Sequence, residues 1–243
     1  MMHRLRNIDP RRALGAGVVL VSLGLLIAGV IGLYSALTSG DQDLPQQGSI
    51  DEIVDESAAD QPVASVQLDP AAPAAPVPVR FVIPGLDIDA PVIVEGVGED
   101  KLPRVPGRPE QVAWYDFSSS PGQTNNAVFA GHVDWQTEDG VPIAGVFYRL
   151  REMKLGDAIE VALADGATLQ YRVTGNVAIP YNDPNVVKVM APTDRDVITV
   201  ITCGGTWVNN SRSPAGGNYS HRVIVRAERV NGLAEAHTGA AGG

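Results

Sequence analysis

Three side chains in the second half of the sequence could together break and remake a peptide bond. Cys203 is the single cysteine of the 243-residue chain, which excludes an internal disulfide and a zinc site built on paired thiolates. A thiolate is a strong nucleophile, and an imidazolium beside it lowers the pKa of the thiol and can later protonate a leaving amine. His132 is the candidate for that imidazole. Arg222 is the candidate for a permanently charged group that stabilises an oxyanion.

Each of these residues also has a simpler interpretation. A lone cysteine is usually a small buried hydrophobic residue, and an arginine on an edge strand often serves only to oppose aggregation. The pairing of His132 with Cys203 favours chemistry, because each follows an apolar, strand-like run and adjoins glycine. Cys203 is expected to close its strand, since Gly204 and Gly205 follow it and glycine weakens strands. Arg222 is expected to begin the last strand.

The domain that would position these residues is predicted to be mainly β. Two runs of alternating apolar and polar residues flank the turn-like stretch 164–167, and this pattern predicts a hairpin. Short strands with little helix are typical of a β-barrel or a β-sandwich. The predicted strands are 80–83, 91–94, 127–130, 159–163, 169–173, 197–202 and 222–228, with a short helix over 184–190.

The N-terminal part of the chain predicts a membrane anchor. No charged residue occurs from position 13 to position 40, and a spanning helix needs about 20 mostly apolar residues. Several arginines precede this run and no lysine or arginine follows it until Arg80, which predicts a cytoplasmic N-terminus. A cleaved signal peptide is the alternative, although its apolar region normally has only about 7–15 residues. We expect a cytoplasmic arm at 1–12 and a single transmembrane anchor at 13–38, with the remainder extracellular.

The next stretch, 39–78, is expected to be a linker. It is acidic, contains no basic residue and ends rich in proline and alanine, so it cannot bury enough apolar surface to fold alone. A short amphipathic helix is possible around 49–54. The folded domain is expected at 79–230, followed by an Ala/Gly-rich flexible tail at 231–243.

The net charge and the spacing of possible ligands argue against some classes of partner. The formal net charge is −10 and no basic face stands out, so nucleic-acid binding is not expected. His132, Asp134 and His221 could form a metal site, but the His-x-Asp spacing is common by chance. We therefore expect no metal and no cofactor.

The residues around the three candidates resemble the motifs of sortases, a family of cysteine transpeptidases. The sequence Thr-Val-Ile-Thr-Cys at 199–203 is similar to the Thr-Leu-x-Thr-Cys motif of that family. Gly131-His132 resembles its histidine element, and Arg222 matches its arginine on the strand after the cysteine. The elements occur in the family's order. The resemblance covers roughly 79–230 and implies an eight-stranded β-barrel with short helices, preceded by the transmembrane helix.

The resemblance also implies a reaction. Sortases, found on the surface of Gram-positive bacteria, cleave a Leu-Pro-x-Thr-Gly-like sorting signal at the C-terminus of secreted proteins. Cys203 would hold a thioacyl intermediate, and an amine of a cell-wall precursor or a pilin lysine would then take the acyl group. His132 would act as general acid and base, and Arg222 would hold the substrate and the oxyanion. Thr202 and Gly204, which flank the cysteine, are candidates for substrate binding.

Resemblance to particular sortase classes is mixed. The segments 129–135, 146–150 and 202–205 look like class F enzymes of actinobacteria, whereas 220–226 looks like the end of pilin-polymerising class C enzymes. Class F members often carry Asn at the place of Arg222, with their arginine nearby. Arg226 and Arg212 are therefore reserve candidates, and Arg226 is expected to face the same way as Arg222.

Other functions remain open from the residues alone. A cysteine hydrolase with the same His–Cys pair would release peptide without an added amine. A non-catalytic, membrane-tethered β-domain that binds peptide or cell wall would need no nucleophile. The L,D-transpeptidases carry a His-Gly-Cys element, and the Ile201-Thr202 pair before Cys203 does not match it.

Overall fold

The strands predicted from alternating residues are present, and they join edge to edge until the sheet closes on itself. The computed structural model describes residues 44–48, 50–54, 75–210 and 216–230. In chain order the strands are β1 (Gln46–Gln47), β2 (Pro78–Ile83), β3 (Ile88–Glu95), β4 (Val112–Tyr115), β5 (Asn125–Ala130), β6 (Asp134–Gln136), β7 (Pro142–Ala144), β8 (Ala158–Leu163), β9 (Thr168–Pro180), β10 (Asp196–Asn209) and β11 (Gly217–Arg229). The helices are α1 (Ile50–Ile53) and α2 (Asn185–Lys188), with 3-10 turns at Pro84–Leu86 and Leu150–Glu152.

Eight of these strands form a closed barrel. Their order is β9-β11-β10-β5-β4-β3-β2-β8, and β8 pairs back onto β9. Two neighbouring pairs, β5–β10 and β3–β4, are parallel. Closure removes exposed sheet edges, at which other chains could otherwise pair. The mainly β, eight-stranded barrel with few helices is therefore confirmed.

The inward-facing side chains of the barrel form the main core. Strand β8 alternates partly exposed and buried residues, as its sequence predicts. Phe81 is fully buried, with its ring centroid 4.9 Å from that of Phe129 and 5.8 Å from that of Phe147. Tilted and edge-on aromatic pairs contribute about 0.5–1.5 kcal/mol each beyond the area they bury. The strands that carry the candidate site are thus held in place by a packed core.

Two predictions about strand ends are wrong. Strand β10 continues through Cys203 to Asn209, and β11 begins at Gly217 instead of Arg222. The extra length arises because residues beyond Cys203 resume pairing with β11 after a bulge. Both candidate residues consequently lie inside a strand ladder, which holds them more firmly than a strand end would.

Residues 44–48 and 50–54 pack on the outside of the barrel, although composition places them in the expected linker at 39–78. Strand β1 pairs antiparallel with β9, and α1 matches the short helix expected around 49–54. Ile53 and Val54 are 3% and 6% exposed and belong to an apolar cluster on the outer surface of the barrel. The apolar residues at 50, 53 and 54 have helical spacing, which gives this segment a buried face.

Several sequence-based expectations concern residues outside the described ranges. They are the cytoplasmic arm at 1–12, the anchor at 13–38, most of the linker and the tail at 231–243. In the part of the chain that the structure describes, no helix has the length and apolar character needed to cross a membrane.

Candidate functional site

Cys203 and Arg222 lie directly opposite each other on paired strands. They are Cα partners in the antiparallel register of β10 and β11. Side chains of directly opposed residues project from the same face of a sheet and interact there. The register therefore brings the positive guanidinium of Arg222 beside the thiol of Cys203.

His132 reaches the same region because β5 runs parallel to β10. The pairing extends to Ala130, opposite Ile201. The Gly131 amide then donates to the Ile201 carbonyl at 3.3 Å, and the Thr202 hydroxyl donates to the Gly131 carbonyl at 2.8 Å. Thr202 is 3% exposed, so its hydroxyl serves to hold the turn that leads into His132.

Glycines allow the backbone on either side of His132 to pack closely. A Cβ atom at Gly131 would come within 2.6 Å of the Phe147 ring, and one at Gly145 within 2.3 Å of the His132 carbonyl oxygen. The Phe147 amide donates to that same carbonyl at 2.9 Å. Larger residues at 131 and 145 would displace these contacts, so the close approach accounts for both glycines.

The imidazole of His132 is fixed at one nitrogen. Its Nε2 atom lies 2.7 Å from the carbonyl oxygen of the buried Pro106, and the Trp135 ring packs edge-on at a centroid distance of 4.8 Å. A carbonyl oxygen can only accept a hydrogen bond, so Nε2 carries a proton. In the neutral imidazole the lone pair is then on Nδ1. The geometry leaves Nδ1 as the atom that can take a proton from a substrate or a thiol.

The guanidinium of Arg222 is held by its own strand and by an aromatic ring. Its Nη2 donates to the side-chain oxygen of Asn218 at 2.9 Å, and its Nη1 donates to the His221 carbonyl at 3.0 Å. The guanidinium also lies 5.9 Å from the centroid of the Tyr181 ring. These contacts fix a positive charge where β11 passes Cys203.

Burial and two charges control the thiol. Burial raises the pKa of Cys203, the Arg222 guanidinium lowers it and the Asp134 carboxylate raises it, with a net increase. At neutral pH the resting group is therefore mainly the thiol rather than the thiolate. Attack by this sulfur needs a base that takes the proton. Burial, with Glu95 and Cys203 nearby, also raises the pKa of Tyr115 to about 12, so this phenol stays neutral.

Replacing Arg222 with glutamine should move the alkylation of Cys203 to higher pH. Iodoacetamide reacts with the thiolate, so its rate against pH follows the pKa of the thiol. The guanidinium lowers that pKa, and its removal must raise it. Arg222→Lys keeps the charge and should stay nearer to the wild-type profile. An unchanged profile in Arg222→Gln would show that the two side chains do not interact.

The bulge beyond Cys203 requires both of its glycines. Gly205 has a φ of 76°, which favours glycine, and a Cβ there would lie 2.3 Å from the Ser220 hydroxyl. A Cβ at Gly204 would lie 2.7 Å from the Val223 side chain and 3.8 Å from that of Leu44. Gly204 is buried, and the N-terminal segment reaches the edge of the site beside it.

The reserve candidate Arg226 has a different environment from Arg222. It is 5% exposed, and its Nη2 donates to the Ile53 carbonyl at 2.7 Å and to the Val189 carbonyl at 3.2 Å. It therefore joins α1 and the segment after α2 to the outside of the barrel. The other reserve, Arg212, lies outside the described residues.

Replacing Arg226 with alanine should lower stability more than catalysis. The change removes charge-assisted hydrogen bonds that hold two segments, at a cost of about 2–3 kcal/mol. Thermal unfolding of the full-length chain should show a clearly lower Tm. Arg222→Ala, on the same strand but partly exposed, is the matched control and should keep its Tm. If Arg226→Ala melts like the wild type, the carbonyl contacts do not stabilise the fold.

The sequence also raised the possibility of a metal site formed by His132, Asp134 and His221. The structure does not group these three side chains around a common point among the described residues. Asp134 accepts a hydrogen bond from the Tyr219 phenol, and Nδ1 of His221 lies 2.8 Å from the Ser220 hydroxyl. Among the residues that the structure describes, no three His, Cys, Asp or Glu side chains group in a way that could hold a metal ion.

Comparison with known proteins identifies the family. The Sortase domain family matches residues 81–230, which is more than half of the chain. The chain therefore belongs to the sortase family, a family of cysteine transpeptidases. No match was found among curated proteins.

Solved sortases are similar to this chain. Sortase C1 from Streptococcus agalactiae is 24% identical, with 63% of this chain and 67% of that chain covered and a TM-score of 0.45. Sortase A from Corynebacterium diphtheriae is 25% identical, with 68% and 65% covered and a TM-score of 0.45. A lid mutant of the latter is 26% identical, with 75% and 94% covered and a TM-score of 0.46. The chain spans about two thirds of the length of the first two.

Proposed function

We propose that this chain is a sortase that uses Cys203, His132 and Arg222 to cleave a Leu-Pro-x-Thr-Gly-like sorting signal and to transfer the acyl group to an amine. One observation carries the proposal. The β10–β11 register pairs Cys203 with Arg222, and the pairing of β5 with β10 is continued by the bond from Gly131, which precedes His132, to Ile201.

The first half of the reaction forms a thioester. The sulfur of Cys203 attacks the carbonyl carbon of the substrate threonine while Nδ1 of His132 takes the thiol proton. Arg222 stabilises the oxyanion of the tetrahedral intermediate, where fixed positive charge is most effective. The intermediate collapses with cleavage of the Thr–Gly bond. His132 returns its proton to the departing glycine amine.

The second half reverses these roles. An incoming amine attacks the thioester carbonyl, and His132 removes a proton from its nitrogen. Cleavage of the carbon–sulfur bond releases the new amide and regenerates Cys203. Water in place of the amine would give hydrolysis. The identity of the acceptor thus decides whether the enzyme joins two molecules or releases a peptide.

We further propose where the enzyme works and which partners it meets. Residues 13–38 anchor it in the cell membrane of a Gram-positive bacterium, with residues 1–12 inside and the barrel outside. The absence of charge in the anchor and the arginines before it support this topology. The substrates are secreted proteins with a C-terminal sorting signal, and the acceptor is an amine of a cell-wall precursor or a pilin. By motif we assign the enzyme to class F, with a final strand like that of class C.

The proposed activity is tested by product analysis. The full-length chain is incubated with a Leu-Pro-Glu-Thr-Gly peptide, with and without triglycine, and the products are identified by mass spectrometry. Peptide joined to triglycine supports the transpeptidase. Peptide cleaved to the free acid in both reactions would instead indicate a cysteine hydrolase. No turnover across Leu-Pro-x-Thr-Gly variants, with Cys203 still open to alkylation, would favour a binding domain.

A further inference from the structure

A small hairpin next to His132 is built separately from the barrel. Strands β6 and β7 form their own two-stranded sheet, in which Asp134 pairs with Ala144. Asp134 begins this hairpin two residues after His132, and the ring of the following residue, Trp135, packs on the imidazole. Any shift of the hairpin would therefore displace the imidazole.

Tyr219 connects that hairpin to the strand of Arg222. Its phenol donates a hydrogen bond to the Asp134 carboxylate, across 85 positions of sequence. Its backbone carbonyl accepts a bond from Nη1 of Arg222 at 3.4 Å. Its ring packs edge-on against that of Trp207, its Cα partner on β10, at a centroid distance of 5.3 Å. Tyr219 thus contacts the hairpin that follows His132, the strand that carries Cys203, and Arg222.

The position of Asp134 has an electrostatic cost. Its carboxylate raises the pKa of the Cys203 thiol and so opposes formation of the nucleophile. The other groups whose charges act on the thiol, or are acted on by it, are Arg222 and the neutral phenols of Tyr115 and Tyr219. A carboxylate that disfavours the thiolate is expected to contribute something else to the site.

We infer that Asp134 and Tyr219 form a positioning pair that ties the hairpin beside His132 to the strand carrying Arg222, and so fixes both groups around Cys203. This inference rests on the proposed function and deepens it. The pair does not touch the reacting atoms. It acts by holding the base and the oxyanion donor at one separation, and misplacement of such groups by about 1 Å can cost on the order of 100-fold in rate.

The test uses Tyr219→Phe, Asp134→Asn and the double variant of the full-length chain. Tyr219→Phe keeps the ring and removes the hydroxyl that donates the bond, and Asp134→Asn replaces the charged acceptor with a neutral amide oxygen, to which the bond is weaker. With the Leu-Pro-Glu-Thr-Gly peptide and triglycine, we expect kcat to fall on the order of 10- to 100-fold with little change in Tm. The double variant should lose no more than the worse single variant, because both changes act on one interaction.

Tyr171→Phe is the matched control. Tyr171 also donates to an aspartate, Asp196, at 3.0 Å, but this pair lies at the start of β10, away from Cys203. Its loss should leave kcat unchanged. Equal losses in Tyr171→Phe and Tyr219→Phe would overturn the positioning role, because the effect would then be one of general stability.

Alkylation of Cys203 provides a second readout that needs no substrate. Loss of the negative charge in Asp134→Asn should move the pH profile of iodoacetamide reaction to lower pH, whereas Tyr219→Phe should not. An unshifted profile in Asp134→Asn would overturn the placement of the pair beside the thiol. If the wild type is active and the single variants keep its kcat, the positioning role is wrong. If the losses in kcat multiply in the double variant, Asp134 and Tyr219 act independently and do not form a pair. A wild type without turnover would count against the proposed function. The pH profile of alkylation in Asp134→Asn would still test whether the pair lies beside the thiol.

Discussion

Replacing Cys203 with alanine should abolish turnover and leave the barrel folded. In comparable catalytic sets, loss of the nucleophile costs about 10⁶-fold in kcat, which is complete loss in a peptide assay. The side chain is small and partly exposed within a paired strand, so little packing is lost. Activity is measured with the Leu-Pro-Glu-Thr-Gly peptide and triglycine, and folding by thermal unfolding.

A second substitution separates the chemistry of sulfur from its size. Cys203→Ser keeps a nucleophile of similar shape, but a hydroxyl is far less acidic than a thiol and should also be inactive. Turnover by Cys203→Ala near the wild-type rate would show that another group is the nucleophile. An unfolded variant would show that Cys203 is needed for packing instead.

Replacing His132 with glutamine should lower kcat on the order of 100- to 10,000-fold, the usual contribution of general acid–base catalysis. The glutamine amide can still donate to the Pro106 carbonyl, so the loop that contacts the histidine should keep its place. The variant loses only the group that can accept and return a proton. Steady-state kinetics with the same peptide measure the effect.

Alkylation provides the control for this variant. Cys203 should still react with iodoacetamide in His132→Gln, which would show that the nucleophile remains accessible. A loss of less than about tenfold would exclude His132 as the main acid–base group. His221 would then be the next candidate, since it is the Cα partner of Gly204, the residue after Cys203.

The regular part of the fold could be predicted from the sequence because it shows the period of a strand. The hairpin on either side of 164–167 is present as β8 and β9, and Gly166 has the positive φ of 90° that the turn requires. Strand β4 was not predicted, because all four of its residues are buried and no alternation is visible. The number of barrel strands came from the family resemblance and not from the pattern.

The candidate site could be predicted only in part. The order of His132, Cys203 and Arg222 is visible in the sequence, but their arrangement depends on the parallel pairing of β5 with β10 and on the register between β10 and β11. That register includes a bulge, and glycines alone suggested a strand end there. The sequence could not predict the contact between His132 and the Pro106 carbonyl, because every residue type has a backbone carbonyl. The role of Tyr219 could not be predicted either, since it depends on a partner 85 positions away.

Composition alone misled at residues 44–54. The acidic character of this stretch favoured a linker, while its few apolar residues have helical spacing and pack on the barrel. The buried Arg226 then reaches the Ile53 carbonyl and makes the segment part of the fold. Only tertiary contacts distinguish such a segment from a solvated one.

The most direct test of the central claim is the intact mass of the full-length chain during reaction with the Leu-Pro-Glu-Thr-Gly peptide. We predict a mass increase equal to the Leu-Pro-Glu-Thr acyl group, mapped to Cys203, that disappears when triglycine is added. An acyl group on another residue would contradict this account. So would the absence of any adduct during turnover of the peptide, when Cys203 remains open to alkylation.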